Sequence, residues 1–310
     1  MPLTTGWFHF SLPDFQYAFL SILLEGMPFL LGGAILSGIL EEFLPQSLMT
    51  RLLPKNPRTA VLASGLLGLI FPVCECGIVP VVRRLMRKGL PVSCGVTYML
   101  SAPIVNPLVI LSTLAAFRGQ AAVEMTCMRF GLGLFVAVVA GWTVSYFSPS
   151  SILRTEILNS AEGDHDHSHS ATSLLDRLQN VTVVATKDFL DVAVYFVIGA
   201  AAASLFSTAV NQQIIQPLAA NPLLSIVSLM GLASVLSVCS TTDAFIAATL
   251  TAFPMAAKLA FLVFGPMLDF KLIFLYGAAF SKRFILVLAI GLFVLIGLLC
   301  WRISTLNLGW

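Results

Sequence analysis

Long apolar runs separated by short polar breaks dominate the pattern along this chain. The apolar runs occupy roughly 15–40, 59–82, 90–117, 121–147, 188–210, 222–252, 254–280 and 284–301. A helix needs about 20 apolar residues to cross the roughly 30 Å hydrocarbon core of a bilayer, and these runs have that length. The pattern predicts an all-α polytopic membrane protein with about eight apolar segments. It lacks the alternation over about ten residues that marks a membrane β-barrel strand. The longest polar break, 148–187, holds Arg154, Glu156, the tract EGDHDHSHS and the pair Asp176/Arg177. It reads as a mobile cytoplasmic loop with a surface helix near 173–187.

This loop divides the chain into a first membrane unit, 1–147, and a second, 188–310, and the two units share landmarks in the same order. With Asn56-Pro57 set on Asn221-Pro222, FPVCEC (71–76) falls on LSVCST (236–241), and Cys74 lands on Cys239. After a two-residue gap, the Ser-Ala-Pro ending at Pro103 meets the Phe-Gly-Pro ending at Pro266. Asn106 then meets Asp269, and Ala-Ala-Phe at 115–117 meets Ala-Ala-Phe at 278–280. Internal repeats of this kind are common in secondary transporters.

Charge placement adds an orientation. Arg51, Lys55 and Arg58 precede the 59–82 run, and Arg83, Arg84, Arg87 and Lys88 follow it. A single crossing would put a strongly positive loop on each side of the membrane, against the positive-inside rule. A re-entrant hairpin turning at Pro72–Gly77 removes the conflict. Irregular backbone at membrane depth is tolerated where protein buries it or where it lines a wet cavity. Each unit then crosses three times, so the second is inverted relative to the first. Both termini and 211–221 fall outside the cytoplasm. Loops 45–58, 83–89, 148–187 and 281–283 fall inside, carrying 12 of the 17 basic residues: 51, 55, 58, 83, 84, 87, 88, 154, 177, 187, 282 and 283.

Composition agrees. The chain is 58% hydrophobic and 10% charged, where globular proteins carry about 25% charge. That leaves too little polar surface to cover a soluble body. No Lys or Arg precedes Phe15, so the charged n-region of a signal peptide is missing, and insertion is expected from the spans themselves. Nothing points to nucleic acid or to a cofactor. A P-loop and an HExxH motif are both absent.

Candidate chemistry sits at the breaks. A carboxylate at the bilayer centre costs about 2.5–3.5 kcal/mol on insertion scales, so Glu75, Asp243 and Asp269 need partners or water. The functional reading is that they line a path and that one carries a proton. The plain alternative is that Asp269 pairs with Lys271 or a helix end and only fixes packing. SAPIVNP (101–107) puts Pro103 and Pro107 around Asn106. Two prolines remove backbone donors and force a local break, freeing carbonyls and the Asn106 amide to face a substrate. FGPMLDF, with Pro266 and Asp269, plays the same part in the second unit. Glu25, beside Gly26 and Pro28, suggests a kink or a close helix contact. Asp188 and Asp191 lie near the membrane edge, and Arg129 is expected to pair with Glu124.

Three cysteines join this set. Cys74, Cys76 and Cys239 would bring three soft ligands near the axis relating the two units, with Ser240 and Thr241 alongside. Soft ligands favour soft metals or metalloids. The alternative is that they are small residues permitting close helix approach. Cys94, Cys127 and Cys300 read as small hydrophobes. His165, His167 and His169 form either a loose metal site or a solvated linker.

The block FPVCECGIVPVVRRLMRKGLPVSCGVTYMLSAPIVNP, with SVCSTTDAFIA and FGPMLDFK, resembles the predicted-permease family that includes ArsP-type organoarsenical exporters. The resemblance covers nearly the whole chain outside 148–187. It implies a bacterial-type inner-membrane transporter with about eight spanning or partly spanning segments. Its motifs are specific for the family and much less so for the substrate. The leading reading is a secondary permease or exporter of a small molecule or ion, possessing soft thiols compatible with a metalloid or metal species, and working by alternating access between the units. A second reading is a membrane thiol–disulfide electron carrier using Cys74 and Cys239. A third is a channel, or a subunit of a larger complex with a soluble partner.

Overall fold

The computed structural model describes residues 3–5, 8–43, 54, 56–153, 174–209 and 221–306. His165, His167 and His169 lie outside these residues, as do Arg51, Lys55 and Arg154. A two-stranded hairpin, β1 (Leu3–Thr5) and β2 (Phe8–Phe10), precedes an otherwise helical body. The helices of the first half are α1 (Leu12–Phe43), α2 (Pro57–Gly65), α3 (Leu67–Ile70), α4 (Ile78–Arg87), α5 (Val92–Val105), α6 (Pro107–Ala116), α7 (Ala122–Val144) and the single turn α8 (Pro149–Ile152). Those of the second half are α9 (Leu174–Ala209), α10 (Pro222–Leu236), α11 (Asp243–Thr249), α12 (Met255–Met267), α13 (Phe270–Tyr276) and α14 (Lys282–Thr305).

Among the described residues, six stretches are long and apolar enough to cross a membrane: 12–43, 92–116, 122–144, 177–208, 255–276 and 282–305. They answer to the six runs expected to cross. The other two runs hold shorter helices, Pro57–Ile70 and Pro222–Leu236, which at 1.5 Å per residue reach only about 20 Å. Both start at an asparagine followed by proline. Asn56 Oδ1 accepts the Arg58 N–H at 3.3 Å, and Asn221 Oδ1 accepts the Leu223 N–H at 3.1 Å. Each caps its helix while proline occupies the first turn, where no N–H is needed.

In the segment 57–87, Val61 near its start and Ser93 at the start of α5 both lie against Gly141 of α7, while Met86 near its end lies against Gly95 of α5. Between these points Gly68 meets Ala102 and Gly77 meets Gly33 of α1. A methyl on Gly33 would stand 2.3 Å from the Gly77 carbonyl oxygen, so α1 carries glycine where the hairpin tip touches it.

α1 and α9 form an antiparallel pair: Gly26 packs on Phe196 and Gly38 on Val181. The first contact is the close approach expected around Glu25. α9 corrects the expected separate surface helix near 173–187. One helix runs unbroken from Leu174 through the membrane stretch, because Val181 and Ala185 are buried, Val181 against α1.

Among the described residues, several basic side chains at this end of α1 are held by acidic partners. Arg84 donates to both carboxylate oxygens of Asp188 (3.1 and 3.0 Å) and lies 3.4 Å from Glu41. Asp188 also accepts the Ser37 hydroxyl at 2.5 Å. Arg83 lies 3.7 Å from Asp191, and Lys88 donates to the Glu41 carbonyl. Asp188 is therefore a buried structural partner rather than a solvated edge residue. At the same end the Trp142 indole donates to the Arg58 carbonyl (3.4 Å), and Ser281 N–H donates to Ile152 O (2.8 Å). At the opposite end Lys258 donates to Gln120 Oε1 at 3.4 Å.

Candidate functional site

Four interruptions of helix build the site. The first is 71–77, where α3 has ended at Ile70 and no helix resumes until Ile78. The second is 237–242, entered through Ser237 in the left-handed region (φ 47°), unusual for a residue with a side chain. The third and fourth split long spans. Pro103 and Pro266 each sit three residues before a cap. Asn106 Oδ1 accepts the Leu108 N–H (2.9 Å) and starts α6. Asp269 Oδ1 accepts the Leu272 N–H (2.6 Å) and starts α13. Neither cap side chain is a free lure for substrate; each first satisfies the helix that resumes after it.

These interruptions bring two ion pairs into the core. In the first, Lys271 Nζ donates to Glu75 Oε1 (3.1 Å) and to the Ser237 carbonyl (3.2 Å), and it lies 3.7 Å from Asp269 Oδ2. In the second, Arg129 Nη2 donates to both oxygens of Asp243 (3.0 and 2.7 Å), while Nη1 donates to Thr113 Oγ1 (2.8 Å). Glu75, Arg129, Asp243, Asp269 and Lys271 are all 1–3% exposed. Ser240 joins the two pairs. Its N–H donates to Glu75 Oε2 (3.3 Å), and its carbonyl accepts from Arg129 Nη2 (3.0 Å).

The structure corrects one expected pairing. Arg129 is bound to Asp243 of the other half, not to Glu124 of its own helix, because Asp243 lies buried beside it while Glu124 sits in the first turn of α7. The expectation for Asp269 holds in part, since Lys271 is near it but is shared with Glu75.

A narrow crevice leads to the first pair. Cys74, Cys76 and Cys239 line it together with Glu25 and Phe29 of α1 and with Lys271. It holds about 10 Å³ for the centre of a water-sized sphere, room for one water. Glu25, half-buried at its side, accepts the Thr242 hydroxyl at 3.3 Å, and the Thr241 hydroxyl lies 3.6 Å from Cys239 Sγ. All three cysteines are free thiols. Among the described residues, no three His, Cys, Asp or Glu side chains form a cluster able to hold a metal ion. Of the remaining cysteines, Cys94 and Cys300 are buried in apolar packing and Cys127 is exposed on α7.

Cys74, Glu75, Cys76, Cys239, Ser240, Asp243 and Asp269 therefore meet around one core. Asn106 and Pro103 sit at the helix break between α5 and α6, both buried. Sequence reasoning missed Arg129 and undervalued Lys271. A signal for both was available: three carboxylates at membrane depth demand cations, and Arg129 and Lys271 lie within apolar runs.

The sequence profile of a family described as predicted permease, of ArsP type, matches residues 11–303. The chain is 41% identical to the UPF0718 protein YcgR of Bacillus subtilis over 280 residues, covering 90% of this chain and 92% of that protein. It is 35% identical over 269 residues to a Streptococcus mutans protein, covering 86% and 87%. The provisional name of that second protein is two-component membrane permease complex subunit. No solved structure matches the chain.

Proposed function

The chain belongs to this family of predicted membrane permeases, and from that premise we propose that it is a secondary transporter, an exporter of a small solute, working by alternating access between two inverted units. The observation that carries the proposal is the Ser240 link. The loop 237–242 of one half holds Glu75 of the other half and is itself held by Arg129 of the other half. A solute passing between the tips of the two broken segments would meet both ion pairs, and moving one unit against the other would break and remake them. Broken helices at corresponding places in two halves mark transporter sites. The matching order of elements, α1–α7 against α9–α14, supports the repeat, and the antiparallel α1/α9 pair supports the inversion.

In this reading 57–87 and 222–249 are re-entrant, and the end bearing Arg58, Arg84 and Lys88 faces the cytoplasm. Both termini then lie outside, 1–147 and 188–310 are the two units, and 148–187 is the cytoplasmic loop. Three thiols on one crevice favour a soft metal or metalloid species as the cargo. The Streptococcus relative, named as a complex subunit, supports a partner protein for this chain as well.

The test is flux in proteoliposomes, with a panel of thiophilic metalloids, divalent metals and small anions chosen by thermal shift of the purified protein. Glu75→Gln, Asp243→Asn and Asn106→Ala together should abolish flux while the protein stays folded in the membrane. Wild-type flux from this triple variant would sink the proposal. The shared crevice also suits a rival, thiol–disulfide electron transfer through Cys74 and Cys239. That rival requires the two sulfurs to crosslink reversibly under mild oxidation, and it fails if they do not.

A further inference from the structure

The buried polar core does not balance its charges. Among the described residues it sets three carboxylates, Glu75, Asp243 and Asp269, against two cations, Arg129 and Lys271. Ionised throughout, it would hold one net negative charge in the least polar part of the molecule, where an uncompensated charge is strongly destabilising.

The geometry identifies the carboxylate left over. Asp243 is held through both oxygens by Arg129. Glu75 accepts from Lys271 with one oxygen and from Ser240 N–H with the other. Asp269 uses Oδ1 to cap α13, but its Oδ2 is buried with no hydrogen-bond partner, 3.7 Å from the Lys271 ammonium. We propose that Asp269 is a proton-binding site and that it carries one exchangeable proton on Oδ2 in this conformation.

A proton fits here better than a metal cation. An ion such as sodium needs several oxygen ligands, yet the charged group nearest Oδ2 is an ammonium, and the crevice beside Lys271 has room for a single water. The groups facing Asp269 come from two places. Lys271 and Tyr276 lie on α13, and the Tyr276 hydroxyl is occupied in donating to the Met267 carbonyl at 2.9 Å. Glu75 and Cys76 come from the 71–77 segment. Lys271 offers the opposite charge and Glu75 a like one, and Lys271 already hydrogen-bonds Glu75. If Lys271 turned from Glu75 to Asp269, the proton would pass from Asp269 to Glu75, the carboxylate that had lost its ammonium, so the core would stay neutral. The proton would be released through the crevice that Glu75 lines only as a further cation or proton replaced it. This deepens the transporter reading and rests on it for its purpose: the released proton would be the coupling ion.

Infrared spectroscopy of the purified full chain in detergent, in H₂O and D₂O at neutral pH, tests the site without any substrate. The wild type should show the C=O stretch of a protonated carboxyl, shifted by deuterium. Asp269→Asn should lose that band and melt with the wild type, since asparagine reproduces the neutral side chain and its cap. The double variant Arg129→Met/Asp243→Asn removes one charge of each sign and should keep the band. Absence of the band in the wild type, its survival in Asp269→Asn, its loss in the double variant or a large loss of stability in Asp269→Asn would each overturn the proposal. Proton release measured in proteoliposomes separates this proposal from the one it rests on. A protein that carries the band but moves no probe defeats transport and leaves the proton site standing.

Discussion

Replacing Arg129 by methionine removes a guanidinium that makes four hydrogen bonds, to Thr113, to the Ser240 carbonyl and to both oxygens of Asp243. Methionine fills much of the same volume, so the main effect is electrical: Asp243 keeps its charge in a site only 2% exposed. Breaking a buried pair by removing one partner costs about 3–5 kcal/mol. The Coulomb attraction of unit charges about 4 Å apart at an effective dielectric near 20 is about 4 kcal/mol, which agrees. Asp243→Asn alone should cost a similar amount, because it strands the cation instead. The double variant Arg129→Met/Asp243→Asn strands neither charge and should lose only about 1–3 kcal/mol, the cost of unmade hydrogen bonds. Equilibrium unfolding in detergent micelles closes this double-mutant cycle. The expected coupling is several kcal/mol, so the double variant is more stable than either single one. If the two single losses add to within about 0.5 kcal/mol, the pair is not the tie between the halves described above.

Other substitutions test neighbouring contacts. Gly33→Ala drives a methyl into the Gly77 backbone and should cost about 1–3 kcal/mol. Gly32→Ala, with open space around it, should be neutral or stabilising by up to about 1 kcal/mol; equal effects in thermal unfolding would discredit the hairpin contact. Lys271→Met leaves Glu75 without its cation and should lower stability by about 3–5 kcal/mol, more than Glu75→Gln, and the reverse ranking would show that Lys271 is not the central cation. With the exposed Cys127 replaced by serine, Arg58→Cys and Lys88→Cys should react with an impermeant thiol reagent from the same side of the membrane, and Arg118→Cys from the other. Labelling of Arg58→Cys and Lys88→Cys from opposite sides would rule out the hairpin.

The crossings were legible because membrane insertion is a demand on length and apolarity that each run meets or misses by itself. The hairpin is an expectation drawn from the conflict between Arg58 and Arg84, and the short helix Pro57–Ile70 is consistent with it. The cap at Asn106 was not read from the sequence, where its amide was taken to face a substrate. Asp243's partner could not be read there: Arg129 lies 114 positions away, and no local pattern on α7 says which carboxylate its guanidinium reaches. Lys271 was legible as a neighbour of Asp269, but its hydrogen bond to Glu75 depends on how the two halves pack. The run of residues near 173–187 misled because its charges suggested surface, while Val181 and Ala185 on one face were enough to continue the helix along α1.

The ion cluster that joins Arg84 to Asp188 and Glu41 has a further consequence. A machine made of two equivalent halves facing opposite ways would rest equally in its two end states, as a level balance does. On the alignment that sets Cys74 on Cys239, the counterparts of Arg83, Arg84 and Lys88 are Ala248, Thr249 and Phe253, none of which can form such a clasp. On the alternating-access reading, one pan of the balance would be weighted. Each 1.4 kcal/mol of that weight shifts the ratio of the two states about tenfold. This chain's idle state would be the one with the basic end shut, and raising the salt concentration or neutralising Asp188 would tip it back toward level.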